Sequence, residues 1–265
     1  MPDPDRSPLD AGALNRALVR PGGLWQRIDV LTETGSTNAD VAEAARRGDP
    51  EGLVVVAERQ FAGRGRRDRQ WVSPPRAGLT LSVLLRPAVA PSTWSWLPLM
   101  AGVALCEAVG SGAALKWPND LLIGDAKCAG ILAEVAGDAV VLGVGLNVTA
   151  RADELPPAAA GLPPTSLLLA GARTTNREAL LRGFLGGFER WYVDWRAAGG
   201  AAGPVGLGDS YKKICATIGR RVTIHRPSGD LLTGDAVTVD GDGQLVIRTD
   251  DGDRRISAGD VVHVR

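Results

Sequence analysis

Histidine is almost absent from this chain of 265 residues, because only His225 and His263 occur, both near the C-terminus. Ser-His-Asp and Cys-His hydrolases, and most histidine-ligated metal sites, need imidazole groups beside the reacting centre. Most of the chain must therefore do any chemistry without imidazole, and these classes of enzyme are disfavoured.

Cysteine is also scarce. The three cysteines, Cys106, Cys128 and Cys215, form no Cys-x-x-Cys pair, so neither a disulfide framework nor a zinc site is expected. A reducing cytosol fits this usage, and we predict a cytoplasmic location. The N-terminus lacks the basic start and apolar stretch of a signal peptide. No apolar run approaches the roughly 18 residues of a membrane span.

Net charge is missing too, since 30 basic and 30 acidic side chains cancel. Composition gives no reason to expect a nucleic-acid or membrane partner, and we predict neither. Any site for an anion must come from a local cluster of charge. With 45% hydrophobic residues, the chain can bury a core as one large domain, or as a medium and a small one.

The order of the predicted elements indicates an α+β fold. A helix is predicted at 36–48, with Ser36 or Thr37 as its cap, and another at 93–109. The predicted strands are 53–58, 79–85, 114–117, 121–123, 127–135 and 139–148. The last four follow one another through short links, which favours an antiparallel or mixed sheet over a doubly wound one.

A last long helix is predicted to start at Thr175, where Thr175 and Glu178 would form a capping box. Its aromatic residues at helical spacing are typical of a stripe that faces the core and not of a cofactor-stacking surface. They are Phe184, Phe188, Trp191 and Trp195.

A run rich in Gly, Ala and Pro at 199–208 predicts a domain boundary, which divides the chain into residues 1–208 and 209–265. The second part has five short strands separated by turn residues, predicted at 221–225, 231–239, 244–248, 254–257 and 261–264. A segment of this kind predicts a small β-barrel.

Residues 59–78 follow neither helical nor strand periodicity and form a long predicted loop, which is often functional. Residues 59–69 hold five arginines and one aspartate. Gly63 and Gly65 allow close approach of the backbone to a ligand, and guanidinium groups match carboxylate and phosphate oxygens. The loop predicts an anion site. By itself it leaves open a nucleotide, a nucleic acid or merely a solvated loop.

Three further segments are less specific. In Lys116-Trp-Pro-Asn-Asp120, Asp120 could hold Mg²⁺ through oxygen, although an Asn-Asp turn between strands is the simpler interpretation. Lys127 opens an otherwise small and apolar strand, either at a sheet edge or in a polar site. The segment Gly143-Val-Gly-Leu-Asn147 lacks the third glycine and the following helix of a dinucleotide fingerprint.

Taken in order, these motifs resemble the biotin–protein ligase family over roughly residues 30 to 150. They are Ser36-Thr-Asn38, Gln60-x-x-Gly-Arg-Gly-Arg-Arg67, Trp71-x-Ser73-Pro, Lys116-Trp-Pro-Asn-Asp120, Lys127-x-x-Gly-Ile-Leu132 and Gly143-x-Gly-x-Asn147. The resemblance implies a catalytic domain with a mixed sheet and helices, related to class II aminoacyl-tRNA synthetases. An SH3-like barrel would follow it at the C-terminus.

The resemblance also implies an activity: formation of biotinyl-5'-AMP from biotin and ATP with Mg²⁺, then transfer of biotin to a lysine of a biotin carboxyl carrier domain. The carrier would belong to acetyl-CoA carboxylase or a related carboxylase. Lys127 and Arg66 would be catalytic. The residues implied to bind biotin are Ser36, Thr37, Asn38, Gln60, Arg64, Gly65, Arg66, Lys127 and Gly130. Those implied to bind the nucleotide are Arg66, Arg69, Trp71, Asn119, Asp120, Lys127 and Asn147. We expect a monomer or a weak homodimer.

Two departures from the family pattern matter. Asp68 stands where family loops often carry glycine, which makes this loop less flexible and less basic. Only about 30 residues precede Ser36-Thr-Asn38, too few for the winged helix-turn-helix of some relatives. We therefore predict no repressor function, and specific nanomolar binding to the chain's own promoter DNA would contradict this.

Two other readings compete with the ligase prediction. A lipoate or octanoate ligase or transferase belongs to the same superfamily. An RNA-binding protein would need aromatic residues interleaved with the basic ones, whereas residues 59–69 contain only Phe61. In the ligase interpretation the loop at 60–76 orders over the ligands, so we expect it to be mobile without them.

Overall fold

The computed structural model describes residues 6–67, 69–158, 162–226 and 229–264. The helices are α1 (Ala11–Leu18), α2 (Thr37–Arg47), α3 (Trp96–Val109), α4 (Arg177–Ala197) and α5 (Leu207–Ile214), with 3-10 turns at Pro91–Thr93 and Ala152–Glu154. The strands are β1 (Arg27–Leu31), β2 (Leu53–Ala57), β3 (Gly78–Leu85), β4 (Ala113–Lys116), β5 (Asp120–Ile123), β6 (Ala126–Ala136), β7 (Ala139–Asn147), β8 (Arg221–His225), β9 (Leu231–Val239), β10 (Leu245–Thr249), β11 (Gly252–Ile256) and β12 (Asp260–His263). Within these ranges, no helix combines the length and the apolar character needed to cross a membrane.

A seven-stranded sheet in the order β1-β2-β3-β7-β6-β5-β4 forms the centre of the larger part of the molecule. The pair of β1 and β2 is parallel, and the other five neighbouring pairs are antiparallel. Strands β2, β3 and β7 are buried along their whole length, which explains why they are nearly continuous apolar runs. The predicted α+β fold with a mixed sheet is confirmed.

Helices cover both faces of this sheet. Helix α2 packs on one face, where Val41 and Ala44 join a cluster with Val55, Leu84 and Val141 of the sheet. Helices α1, α3 and α4 pack on the other face and form the main core. The aromatic stripe of α4 lies in that core, with three of its rings fully buried and one half-buried, so its predicted core-facing role is confirmed. The buried rings are Phe184, Phe188 and Trp195, and the half-buried one is Trp191.

The ends of two helices follow from local side-chain chemistry. Helix α2 ends at Gly48, whose φ of 85° is a left-handed conformation that glycine adopts at little cost. Helix α4 is capped by Asn176, whose side chain accepts the N–H of Ala179 at 2.9 Å. The capping box predicted for Thr175 and Glu178 is therefore wrong. Both Thr and Asn are good caps, and the local sequence did not discriminate between the two adjacent residues.

The C-terminal part forms a second, antiparallel sheet in the order β11-β10-β9-β8-β12. All five strands lie at or close to their predicted positions. Within the described residues, the two edge strands β11 and β12 do not pair with each other. The predicted barrel is thus an open five-stranded sheet. Ser228, which belongs to the turn predicted before β9, lies outside the described residues.

Two elements were not predicted, β1 and α5. Helix α5 follows the run that was interpreted as a linker, and it packs against α3 and β4. There the ring of Tyr211 meets Trp96 edge-on, with centroids 6.3 Å apart. The boundary between residues 208 and 209 falls inside α5, and the division of the chain at that point stays a prediction.

Two indole groups hold the C-terminal sheet against the rest of the molecule. Trp96 Nε1 donates to the carbonyl of Gly241 at 2.6 Å, and Trp117 Nε1 donates to that of Gly243 at 3.2 Å. The hydroxyl of Thr217 accepts the backbone N–H of Trp117 at 3.0 Å. Because Trp117 belongs to the Lys116–Asp120 motif, these bonds fix the C-terminal sheet beside that motif.

Candidate active site

The structure brings all fourteen site residues that the sequence suggested around one cavity. They are Ser36, Thr37, Asn38, Gln60, Arg64, Gly65, Arg66, Arg69, Trp71, Asn119, Asp120, Lys127, Gly130 and Asn147. The cavity lies on the same face of the large sheet as α2, because side chains alternate along β7. Residues 139 and 141 pack under α2, so residues 143, 145 and 147 continue on that face as the floor of the cavity.

The glycines of β6 and β7 make room for two side chains on this floor. A Cβ atom added to Gly143 would lie 2.0 Å from Asn38 Oδ1, and one added to Gly145 would lie 2.3 Å from Trp71 Cε2. Gly145 pairs with Gly130 of β6, and both glycines lie against the indole of Trp71. The glycine spacing of β7 therefore serves close approach of side chains to the sheet.

A hydrogen-bonded network borders one end of the cavity, and its side chains are neutral except for the carboxylate of Glu134. Gln60 Oε1 accepts from the N–H and from the hydroxyl of Thr37, at 2.8 and 3.1 Å. The buried hydroxyl of Ser82 lies 2.7 Å from that of Thr37 and 2.6 Å from Asn38 Oδ1. Asn38 Nδ2 in turn donates to Glu134 at 2.6 Å. These bonds fix the orientation of polar groups that would otherwise rotate.

Ser36 precedes the first residue of α2, but its side chain makes no capping hydrogen bond. The predicted helix is present, whereas neither hydroxyl caps it, since that of Thr37 bonds to Gln60. Both residues line the cavity, and neither hydroxyl is used to complete the helix.

Cationic groups gather at the other end. Lys127 Nζ lies 2.6 Å from Asp120 Oδ1. Lys116 is only 6% exposed, and burial lowers the pKa of its ammonium group, partly offset by nearby Asp120. Among the described residues, no carboxylate lies within 4 Å of the Lys116 ammonium group. The nearby carboxylates of Asp120 and Asp260 pair with Lys127 and Arg69. A buried cation of this kind favours a negatively charged ligand in the cavity.

The segment between β2 and β3, which holds the five arginines and is called the arginine loop below, reaches into the cavity through Arg66. Its Nη1 donates to Asn119 Oδ1 at 2.9 Å, and its Nη2 to the carbonyl of Gly259 at 3.2 Å. Burial lowers the pKa of the Arg66 guanidinium, while Asp260 and Asp120 oppose that shift. The loop is pinched by a β-bridge between Arg64 and Gln70. Asp68, predicted to alter the loop, lies outside the described residues.

Two buried polar atoms near the floor have no partner within the described residues. They are Asn147 Oδ1 and Trp71 Nε1. The amide of Asn147 is fixed because its Nδ2 donates to the carbonyl of Thr165 at 3.0 Å. An unpaired buried acceptor or donor costs free energy unless a ligand or water completes it. The part of the cavity beside Asn147 and Trp71 is therefore suited to a ligand that carries both N–H donors and acceptors, as a purine base does.

Sequence reasoning missed three groups that shape the site, Ser82, Glu134 and Asp260. Ser82 carried a signal, because it is a polar residue in the middle of the apolar strand β3. Glu134 also follows the alternation of β6, which places it on the cavity face. Asp260 had no local signal, since its contact with Arg69 spans 191 residues of chain.

The cysteine beside Lys127 is buried, and the described residues build no metal cluster of their own. Cys128 is fully buried, and burial raises the pKa of its thiol to about 12, so it stays protonated and inert. No group of three or more His, Cys, Asp or Glu side chains that could hold a metal occurs in the described part of the chain. A cation at this site would take most of its ligands from its substrate, with Asp120 as the nearest carboxylate of the Lys116–Asp120 motif.

Comparison with known protein families matches both parts of the chain. Residues 32–148 match the biotin/lipoate A/B protein ligase family, and residues 217–264 match the biotin protein ligase C terminal domain. The chain is 41% identical to the biotin–[acetyl-CoA-carboxylase] ligase of Mycobacterium tuberculosis, over 98% of this chain and 97% of that protein. It is 32% identical to the bifunctional ligase/repressor BirA of Bacillus subtilis, over 88% of this chain and 72% of that protein.

Solved structures agree with these matches. The biotin protein ligase of Aquifex aeolicus in complex with biotin and ATP gives a TM-score of 0.75 at 26% identity, covering 91% of this chain and 100% of that one. The ligase of Leishmania major in complex with biotinyl-5-AMP gives 0.60 at 23% identity, covering 88% and 99%. The latter likeness concerns the fold alone.

Proposed function

Because this chain belongs to the biotin–protein ligase family, we propose that it activates biotin with ATP and transfers it to a lysine of a biotin carboxyl carrier domain. The observation that carries this proposal is the single cavity with a neutral hydrogen-bonding end and a cationic end. Biotin has the matching pair of groups, a neutral ureido ring and a carboxylate. ATP adds phosphates for the cations and a base for the end at Asn147.

The neutral end would bind the ureido ring of biotin. In the structure, Gln60 Oε1 is occupied by Thr37, which leaves the Gln60 Nε2 group as a donor. Ser36 and Asn38 lie beside it. Arg64, Gly65, Arg66, Lys127 and Gly130 would border the rest of biotin. The nucleotide would contact Arg66, Arg69, Trp71, Asn119, Asp120, Lys127 and Asn147.

In the first step, an oxygen of the biotin carboxylate attacks the α-phosphorus of ATP. The bond from that phosphorus to the bridging oxygen breaks, and pyrophosphate leaves with the electron pair. A carboxylate is already ionised at neutral pH, so the step needs no general base, which fits a cavity without histidine among its lining residues. The obstacle is repulsion between two anions, and fixed cations lower it.

Arg66, Lys116 and Lys127 would supply these cations. Before substrate arrives, Lys127 is held by Asp120 and Lys116 by burial. Arg66 would be positioned by Asn119 when the loop is closed. Fixed charges in a partly dehydrated site need little reorganisation during the reaction. Mg²⁺ is usually bound by substrate phosphates and one or two carboxylates; Asp120 would hold it here, and it would neutralise phosphate charge.

In the second step, the neutral amine of the acceptor lysine attacks the acyl carbon of biotinyl-5'-AMP. The bond between that carbon and the phosphate oxygen breaks, AMP leaves, and the amine loses its proton to solvent. Water competes for the same carbon, so the intermediate has to be covered. The arginine loop lines the cavity with Arg64, Gly65, Arg66 and Arg69 and would cover the intermediate.

Transfer to a carrier tests the proposal directly. The purified chain would be incubated with biotin, ATP, Mg²⁺ and a biotin carboxyl carrier domain, and the carrier mass measured. We expect one added biotinyl group and release of AMP, and no addition to a carrier whose acceptor lysine is replaced by arginine. A carrier that stays unmodified with biotin but gains a lipoyl or octanoyl group would contradict the proposed substrate.

A further inference from the structure

Three arginines of the loop converge on one carboxylate of the C-terminal sheet. Asp260 is the first residue of β12. Its Oδ2 lies 2.6 Å from Arg69 Nη2 and 3.4 Å from Arg67 Nη1, and its Oδ1 lies 3.9 Å from Arg66 Nη1. The Asp260 side chain is 22% exposed, so these charges are partly shielded from water.

Two backbone carbonyls beside Asp260 complete the contact. Arg66 Nη2 donates to Gly259 O at 3.2 Å, and Arg67 Nη2 donates to His225 O at 2.6 Å. His225 is the last residue of β8 and pairs with Asp260 across the sheet. One end of the β8–β12 pair, formed by His225, Gly259 and Asp260, therefore presents three acceptors to the loop.

The tip of the loop, residues 63–71, also contacts the large sheet and the Lys116–Asp120 motif, through Arg64 and Glu134, Arg66 and Asn119, and the indole of Trp71 on Gly145. Its backbone bonds include Gly65 N–H to Arg69 O and Trp71 N–H to Gly63 O, and Phe61 is 69% exposed. Three neighbouring guanidinium groups also repel one another. Asp260 offsets one of their charges, which leaves the three arginines and Asp260 together with a net positive charge.

We propose that this end of the β8–β12 pair is a docking site that holds the arginine loop closed over the cavity, with Asp260 as the positioning residue. The C-terminal sheet would then contribute to the reaction through the loop and not through the reacting atoms. The contact itself is independent of the proposed function, while its consequence, protection of biotinyl-5'-AMP from water, rests on that function.

The strength of the contact follows from its exposure. The side chains of Arg67 and Arg69 are 38% and 41% exposed, and ion pairs of this kind shift an equilibrium severalfold and not by orders of magnitude. A contact of this strength would still let the loop open, so the predicted mobility of the loop stays a prediction. Loss of the Asp260 charge makes the open state more frequent without unfolding the sheet.

Hydrogen exchange of the ligand-free protein measures loop opening. The variant is Asp260→Asn, and the matched control is Asp253→Asn, which removes another carboxylate of the same sheet that pairs with Arg248. We expect peptides covering residues 63–71 to exchange about fivefold faster in Asp260→Asn, at the wild-type rate in Asp253→Asn, and close to it in Asp260→Glu. Equal exchange of these peptides in wild type and Asp260→Asn would overturn the proposal.

A second readout is the rate at which biotinyl-5'-AMP is lost to solution when no carrier is present. It should rise severalfold in Asp260→Asn and return toward the wild-type rate in Asp260→Glu. Tighter ATP binding by Asp260→Asn together with unchanged loop exchange would also overturn the proposal. That result is expected of a carboxylate that only competes with the ATP phosphates for the arginines. If the wild type forms no adenylate, the proposed function fails, and the exchange comparison still decides whether Asp260 holds the loop.

Discussion

The floor of the cavity allows a sharp test, because Gly145 lies directly beneath the indole of Trp71. In Gly145→Ala the new Cβ would lie 2.3 Å from Trp71 Cε2 and 2.6 Å from its Nε1. Ordinary contacts begin at 3.4 Å, so the ring must move by about 1 Å, a displacement that can cost about 10²-fold in rate. Strand β7 is paired on both sides, so the side chain should yield before the backbone.

We therefore expect kcat/KM for ATP in the adenylation reaction to fall by about 10- to 10²-fold in Gly145→Ala. The free energy of unfolding should fall by no more than about 1–3 kcal/mol. The assay is the initial rate of pyrophosphate exchange at varied ATP and saturating biotin, together with urea denaturation. Gly186→Ala on α4 is the matched control, since its added Cβ meets nothing within 4 Å. Wild-type kinetics in Gly145→Ala would refute the proposed contact between Trp71 and the nucleotide.

Three further predictions concern other groups. Glu58 is 5% exposed and lies 2.5 Å from Arg177, so Arg177→Met leaves a buried carboxylate without its charged partner. Urea denaturation should show that the free energy of unfolding falls by about 3–5 kcal/mol. Arg182→Met removes an exposed ion pair on the same helix and should lower it by less than about 1 kcal/mol. Burial, with help from nearby cations, lowers the pKa of His263 to about 4, from an ordinary value of about 6.5. As the pH falls, the imidazole of His263 is protonated in the unfolded chain before it is protonated in the folded one. The stability that His263 contributes is therefore fully present above about pH 6.5 and declines toward pH 4. The urea midpoint of His263→Gln should decline less over this range than that of the wild type. Lys116→Met removes a buried cation from the cavity and should lower kcat/KM for ATP by about 10²–10³ with little change in the urea midpoint.

Short continuous motifs explain how far the sequence could predict the site. Each motif delivers its side chains from one strand or turn, so the residues were identifiable before the sheet order was known. The family that these motifs predicted and the mixed-sheet fold are both confirmed. The particular roles assigned to residues such as Arg69 and Asn119 stay predictions, although the structure places both on the cavity.

The features that the sequence did not predict depend on contacts distant in the chain. Asp260 meets Arg69 only because the C-terminal sheet docks beside Trp117. Helix α5 has eight residues in glycine-rich surroundings, and its packing on α3 supports it more than local propensity does. The five C-terminal strands could be read from their turns, but whether the first and last strands close a barrel is decided by non-local pairing.

Exchange of labelled pyrophosphate into ATP measures only the step in which this cavity would join biotin to AMP. The purified chain would be assayed with biotin, with lipoate or octanoate, and without either, beside the variant Lys127→Ala. We expect exchange that requires biotin, is not supported by lipoate, and is slower by about 10²–10³-fold in the variant. Exchange with lipoate or octanoate but not with biotin would contradict the substrate, and no exchange with any of them would contradict the ligase itself.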